Sequence, residues 1–171
     1  MAEKLKIAGI IRESIVDGPG IRFVVFAQGC SHRCPGCHNP QTHDPEGGNW
    51  ITTDRILEEV AKNPILKGVT FSGGEPFEQP KAMAELAKGV KEMGLDLISY
   101  SGYTFEELLE MAEEDKDIRY IIEQCRMIID GRFIEEQKTL ALPFRGSTNQ
   151  RLVDVQASLE AGEVVVFSDP V

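Results

Sequence analysis

The sequence lacks any apolar run of the roughly 18 residues that a membrane-spanning helix requires. Its N-terminus, MAEKLKIAGIIRESI, also lacks the unbroken apolar stretch and small-residue cleavage site of a secretory signal. We therefore expect a cytoplasmic protein that does not associate with a membrane. In that compartment thiols stay reduced, so closely spaced cysteines favour metal binding or catalysis over disulfides.

Positive charge is scarce, since 18 Lys and Arg residues stand against 28 Asp and Glu residues and give a net charge of −10. General binding to nucleic acid is therefore not expected, because phosphate contacts need clustered cations. A protein partner or a small ligand fits an acidic chain better. The sequence has no internal repeat and no linker, and its 171 residues predict a single domain, 1–171.

Three of the four cysteines stand close together, and all three histidines lie in the same stretch: Cys30, Cys34, Cys37, His32, His38 and His43. Gly29, Pro35 and Gly36 predict a tight, irregular loop that turns the thiols towards one point. Such a C-x3-C-x2-C group could bind zinc with a histidine as fourth ligand. It could equally bind three irons of a four-iron cluster and leave one iron without a protein ligand. The spacing alone does not decide between the two.

Strand and helix patterns alternate along the chain. Strands are predicted at Lys4–Ile15, Arg22–Gln28, Gly68–Ser72, Leu95–Tyr100, Arg126–Asp130 and Glu163–Phe167. Helices are predicted over about 54–62, 79–93, 118–124 and 156–161, with a polar loop at 144–151. Thr104 and Glu107 form a capping-box pair that predicts one more helix, which includes Leu108, Leu109 and Met111. This alternation predicts an α/β fold with a largely parallel sheet, a partial (β/α) barrel with the cysteine loop after an early strand. A full eight-fold barrel typically needs about 250 residues.

Four loops each directly follow a predicted strand: the cysteine loop, Gly73-Gly74-Glu75, Ser101-Gly102 and Asp130-Gly131. Parallel strands end at the same edge of a sheet, and ligands bind at that edge. We therefore expect the four loops to meet at one site.

Two motifs carry a resemblance to a known family. The stretch from Cys30 to Cys37, CSHRCPGC, resembles the C-x3-C-x2-C signature of radical S-adenosylmethionine enzymes, and Gly73-Gly74-Glu75-Pro76 resembles their second motif. Four further stretches resemble one subfamily, the activating proteins of anaerobic ribonucleoside-triphosphate reductase: DGPGIR at 17–22, CPGCHNP at 34–40, YSGY at 100–103 and LPFRGSTNQR at 142–151. The resemblance covers nearly the whole chain.

The resemblance implies a [4Fe-4S] cluster held by Cys30, Cys34 and Cys37, with S-adenosylmethionine chelating the open iron. Reductive cleavage then yields a 5′-deoxyadenosyl radical, which abstracts hydrogen from a glycine of the partner reductase. The expected electron donor is a reduced flavodoxin or ferredoxin.

The resemblance also implies which residues bind S-adenosylmethionine. Gly73 and Gly74 would let backbone approach the methionine moiety, while Glu75 would accept a hydrogen bond from its amino group or orient that loop. Ser101 and Asp130 are candidates for ribose or carboxylate contacts by position alone. Many members carry an aromatic residue near adenine at the position of Gly36, just before Cys37. In this chain we expect His38 or the backbone around Gly36 and Cys37 to make the adenine contact instead.

Two other functions remain open on the sequence. One is a radical S-adenosylmethionine enzyme with a small-molecule substrate, similar to the 7-carboxy-7-deazaguanine synthases. The other is a zinc-stabilised binding module without catalysis. The segment 144–151 is either an ordinary polar loop or a contact for S-adenosylmethionine or the partner's glycine loop, and Cys125 is expected to be a buried small hydrophobe.

Overall fold

A computed structural model describes residues 2–37 and 39–167. Seven strands form one sheet: β1 (Lys4–Ser14), β2 (Arg22–Ala27), β3 (Asn49–Thr52), β4 (Gly68–Gly73), β5 (Asp96–Tyr100), β6 (Met127–Asp130) and β7 (Arg151–Asp154). Five helices accompany them: α1 (Thr53–Ala61), α2 (Pro80–Glu92), α3 (Phe105–Ala112), α4 (Lys116–Gln124) and α5 (Val155–Ala161). None of the described helices has the length and apolar character needed to cross a membrane.

The centre of the sheet is parallel. The strand order is β3-β1-β2-β4-β5-β6-β7, and β2, β4, β5 and β6 all pair in parallel. The outer strands β1, β3 and β7 pair antiparallel with their neighbours. In the described residues the sheet is open, with β3 and β7 at its edges. The predicted α/β fold is confirmed, and its parallel part is the middle of the sheet, next to the cysteine loop.

The central strands are buried on both faces, which explains their mostly apolar sequences. Leu97 and Ile128 pack into the large core cluster that the helices cover. Their neighbours Ile98 and Ile129 point to the other face and form a smaller cluster, against which Tyr100 packs. Tyr100 is the last residue of β5, so this smaller cluster extends to the end of the sheet at which the predicted site lies.

A fully buried arginine stands at the start of β2. Arg22 is 0% exposed and forms an ion pair of 2.5 Å with Asp96. Its guanidinium donates to Thr70 Oγ1 at 2.8 Å and to the Pro19 carbonyl at 3.2 Å. Thr70 in turn donates to the Asp17 carbonyl at 2.7 Å. These bonds hold the turn at 17–20 against the second face of the sheet.

Most predicted elements are confirmed to within a few residues, including the capping box of Thr104 and Glu107 at the start of α3. The predicted last strand, Glu163–Phe167, is wrong. That segment lies beside β7 with one isolated bridge, between Val166 and Val153, and two backbone hydrogen bonds, from the Asp154 N–H to the Val165 carbonyl and from the Phe167 N–H to the Leu152 carbonyl. The edge position beside β6 is taken by β7, which was not predicted and of which only Arg151 was assigned, as the end of the polar loop. The short strand β3, paired with β1, was also missed.

Candidate active site at the ends of the parallel strands

The loops after the four parallel strands meet around one cavity of about 440 Å³. Cys30, Gly74, Ser101 and Gly131, one from each loop, all line it. The predicted convergence is therefore present in the structure. Val16 also lines the cavity and is 69% exposed, so the cavity reaches the surface of the protein.

All three clustered cysteines line this cavity. Cys30, Cys34 and Cys37 are half-buried and free of disulfides. The loop turns sharply at Arg33 and Gly36, whose φ values are +48° and +74°. Burial raises the pKa of the Cys30 thiol, because a thiolate is poorly solvated there. A bound metal would therefore have to displace a proton from this thiol.

The three cysteines are the type of ligand that a four-iron cluster takes. The thiolates of a four-iron cluster bind different irons, so they need only face one cavity, and these do. His43 lines the same cavity, and its Nε2 is buried without a hydrogen-bond partner in the described part of the chain. Such an atom indicates space for a polar group that binds there.

The base of the cysteine loop is tied to neighbouring backbone. The Gly29 N–H donates to the Thr42 carbonyl at 2.6 Å, and the Glu75 N–H donates to the Gly29 carbonyl at 2.8 Å. A Cβ on Gly74 would lie 2.3 Å from the Gly29 carbonyl oxygen. Gly73 has a φ of +96°, and a Cβ there would lie 2.5 Å from the Ala27 nitrogen. The protein's own backbone occupies the space beside both Cα atoms, so the fold itself requires glycine at these positions, independently of any ligand.

Glu75 is 0% exposed and joins the loops together. Its carboxylate lies 2.8 Å from His32 Nε2, in the cysteine loop. It accepts hydrogen bonds from the Ser101 hydroxyl at 3.0 Å and from the Gly102 N–H at 2.7 Å, after β5. It also accepts one from the Phe77 N–H at 3.1 Å. Of the two roles expected for this side chain, orienting the loops is the one that its contacts fulfil.

Asp130 does not line the cysteine cavity but a neighbouring one. It is 1% exposed and accepts hydrogen bonds from the Phe105 N–H at 2.7 Å and from Arg151 Nε at 3.0 Å. Hydrogen bonds to Asp130 and Glu106 raise the pKa of the Arg151 guanidinium. The position of Asp130 at the strand end therefore serves to anchor α3 and β7.

The remaining predicted residues lie as follows. Ser101 and Gly102 line the cavity, although the Ser101 hydroxyl is engaged with Glu75. Gly36 lies at the turn of the cysteine loop, where a Cβ would meet the Glu135 side chain at 2.9 Å. His38 lies outside the described residues.

The segment 144–151 forms a wall of the cavity through Phe144, Arg145, Gly146 and Gln150. The Tyr100 hydroxyl donates to the Phe144 carbonyl at 2.8 Å and holds this wall in place. Asp17 and Phe133 also line the cavity, and neither was expected from the sequence to be a site residue. Asp17 belongs to the stretch DGPGIR, which resembles the subfamily, but its place beside the cavity depends on the contact with Thr70 in the folded sheet.

Residues 16–153 match the family described as the 4Fe-4S single cluster domain, and the chain belongs to this family. The match decides between the two metals that the cysteine spacing left open.

Anaerobic ribonucleoside-triphosphate reductase-activating proteins are similar to this chain over most of their length. That of Escherichia coli (strain K12) is 31% identical over 145 residues, 80% of this chain and 90% of that protein. That of Vibrio cholerae is 33% identical over 144 residues, 80% and 89% respectively. The predicted membership in the radical S-adenosylmethionine activating enzymes is thereby confirmed, with a [4Fe-4S] cluster and S-adenosylmethionine as cofactors.

Two further proteins are similar in part. The pyruvate formate-lyase-activating enzyme of Clostridium pasteurianum is 40% identical over 137 residues, 74% of this chain. The aligned part is 58% of that enzyme, so the chain spans less than two thirds of its length. QueE from Escherichia coli has a TM-score of 0.47 and 14% identity, covering 59% of this chain and 53% of that one. A likeness of that size adds nothing to the argument.

Proposed function

We propose that this chain activates an anaerobic ribonucleoside-triphosphate reductase by generating a glycyl radical on it. The observation that carries the proposal is the cavity that reaches the surface and is lined by Cys30, Cys34 and Cys37 together with the loop at 73–74. The electron donor is a reduced flavodoxin or ferredoxin, and the compartment is the cytoplasm. The chain acts as a single domain, 1–171.

Each part of the cavity has a role in this proposal. Cys30, Cys34 and Cys37 would hold three irons of a [4Fe-4S] cluster as thiolates. Such a cluster would pass one electron from the reduced donor to S-adenosylmethionine and so cleave it reductively. Phe133 and Phe144 line the cavity and limit the access of water to the reacting groups. The exposed Val16 marks the side on which a glycine of the partner enters.

The backbone and the deeper side chains position S-adenosylmethionine. Gly73 and Gly74 present backbone groups to the methionine moiety from the end of β4. Glu75 keeps this loop in register with the cysteine loop through its hydrogen bonds. The adenine contact is assigned to Gly36, Cys37 and His38, and the loop at Ser101 borders the ribose. Asp130 acts behind the site, through Arg151.

The identity with a pyruvate formate-lyase-activating enzyme favours a second candidate, in which the protein substrate is a pyruvate formate-lyase. The reductase-activating relatives match this chain over about nine tenths of their own length, which favours the reductase. Both candidates share the radical chemistry and differ only in the partner.

Anaerobic electron paramagnetic resonance tests the proposal directly. The reconstituted and reduced protein should show a [4Fe-4S]⁺ signal whose shape changes when S-adenosylmethionine is added. Addition of the reductase should then yield a glycyl radical signal, and pyruvate formate-lyase should yield none. A signal unaffected by S-adenosylmethionine would reject the open iron. A radical formed only on pyruvate formate-lyase would transfer the proposal to the second candidate.

A further inference from the structure

We propose that His32 is a positioning residue for S-adenosylmethionine, because its imidazole fixes the cysteine loop to the loops after β4 and β5. His32 lies between the first two cysteines of the cluster motif. Nothing in the motif spacing requires a histidine at this position. The inference rests on the proposed function in one respect, namely that S-adenosylmethionine spans these loops.

The His32 side chain is as buried as a core residue, although His32 lies in an irregular loop. Its side chain is 4% exposed, and its Nε2 lies 2.8 Å from Glu75 Oε1. A hydrogen bond to a buried carboxylate is among the stronger kinds in proteins. The bond therefore fixes the position of the segment between Cys30 and Cys34 relative to the end of β4.

Packing around the ring is equally specific. The ring of Tyr103 meets the ring of His32 edge-on, with centroids 4.5 Å apart and an interplanar angle of 75°. On another side lies Gly102, where a Cβ would come within 2.4 Å of His32 Cδ2. Only glycine at 102 leaves room for the imidazole, so the loop after β5 is shaped to receive it.

Glu75 connects the histidine to the rest of the site. The same carboxylate accepts from the Ser101 hydroxyl and the Gly102 N–H, so loss of the His32 bond would leave a buried carboxylate short of one donor. A second link between the loops exists, because Ser31 donates to Glu78, but this contact is exposed to solvent. The Glu75 N–H also donates to the Gly29 carbonyl, at the base of the cysteine loop. The His32 contact is the buried one that joins the segment between Cys30 and Cys34 to the loops after β4 and β5.

The matched variants His32→Gln and His32→Phe separate the hydrogen bond from the packing. Glutamine retains an N–H donor at similar reach, while phenylalanine retains the aromatic ring and has no donor. Each reconstituted protein would be examined for iron content, for S-adenosylmethionine affinity by anaerobic calorimetry, and for the spectral change on adding S-adenosylmethionine. The phenylalanine variant should keep its iron and bind S-adenosylmethionine roughly ten- to hundredfold more weakly, the usual range for residues that orient metal ligands. The glutamine variant should restore affinity to within about threefold, a difference of under 1 kcal/mol.

The outcomes distinguish this inference from the proposed function. A wild-type protein without an S-adenosylmethionine-dependent spectrum overturns the proposed function. If the wild type responds and His32→Phe binds equally well, or if both variants are weakened equally, the positioning role is overturned. Should His32→Phe fail to assemble the cluster, hydrogen exchange of the metal-free proteins over residues 29–37 decides the question. Faster exchange in the phenylalanine than in the glutamine variant supports the role, and equal exchange overturns it.

Discussion

A single methyl group on Gly74 should dislodge the base of the cysteine loop. In Gly74→Ala the new Cβ would lie 2.3 Å from the Gly29 carbonyl oxygen and 2.9 Å from the Thr42 carbonyl oxygen. Both contacts are with backbone, which cannot swing aside as the end of a long side chain can. We expect a loss of about 3 kcal/mol in the free energy of unfolding, at the upper end of the range for overpacking. For a chain of this size the melting temperature should fall by roughly 6–12 °C.

The measurement is thermal unfolding of the metal-free, reduced protein by circular dichroism, followed by iron and sulfide content after reconstitution. Gly9→Ala is the matched control, because a Cβ on Gly9 would meet no atom of the described residues within 4 Å. The backbone at Gly9 also does not have the positive φ that would strain an alanine. This control should change stability by no more than about 0.5 kcal/mol. Because Gly29 directly precedes Cys30, Gly74→Ala should also lower iron content. If its melting temperature and iron content equal those of the control, the close approach of the two loops is refuted.

Two further predictions concern the metal ligands and the strand-end carboxylate. Cys34→Ala should abolish cluster assembly, whereas Cys125→Ala, in the core at 0% exposure, should retain the iron content of the wild type; loss of iron in the Cys125 variant would contradict the three-ligand assignment. Asp130→Asn removes a charged acceptor of the Phe105 N–H, so it should destabilise the fold by about 1.5–3 kcal/mol. Its affinity for S-adenosylmethionine should stay close to that of the wild type in calorimetry, and a large loss of affinity without destabilisation would place the carboxylate in contact with the ligand instead.

The sequence predicted the parallel centre of the sheet because each of its strands is short and mostly apolar and is followed by a glycine-containing turn. It did not predict β7, since RLVD at 151–154 is short and follows a polar loop. That segment becomes a strand by pairing with the exposed edge of β6, a long-range contact that local pattern does not encode. Glu163–Phe167 has the better strand composition, yet β7 occupies the position beside β6, and this segment makes a single bridge on the other side of β7.

The candidate site, like the sheet, could be predicted from the sequence only in part. The cysteines and the glycine loop could be located from spacing, because their chemistry depends on residue type. The role of His32 could not, because it depends on Glu75, Gly102 and Tyr103, which lie more than forty residues further along the chain. A histidine in a loop has many possible uses, and only the folded structure shows which carboxylate it meets.

Burial of Glu75 makes the site cooperative. A carboxylate removed from water is costly unless donors surround it, and here the donors come from the cysteine loop, from the β5 loop and from its own turn. They can meet because β2, β4 and β5 are adjacent in the sheet and parallel, so their carboxyl ends lie side by side. Displacing any one loop leaves the same buried charge less well compensated. The stability of the Glu75 environment therefore favours the arrangement in which all three loops are closed around the cavity, and metal binding by the cysteines begins from a loop that the sheet has already positioned.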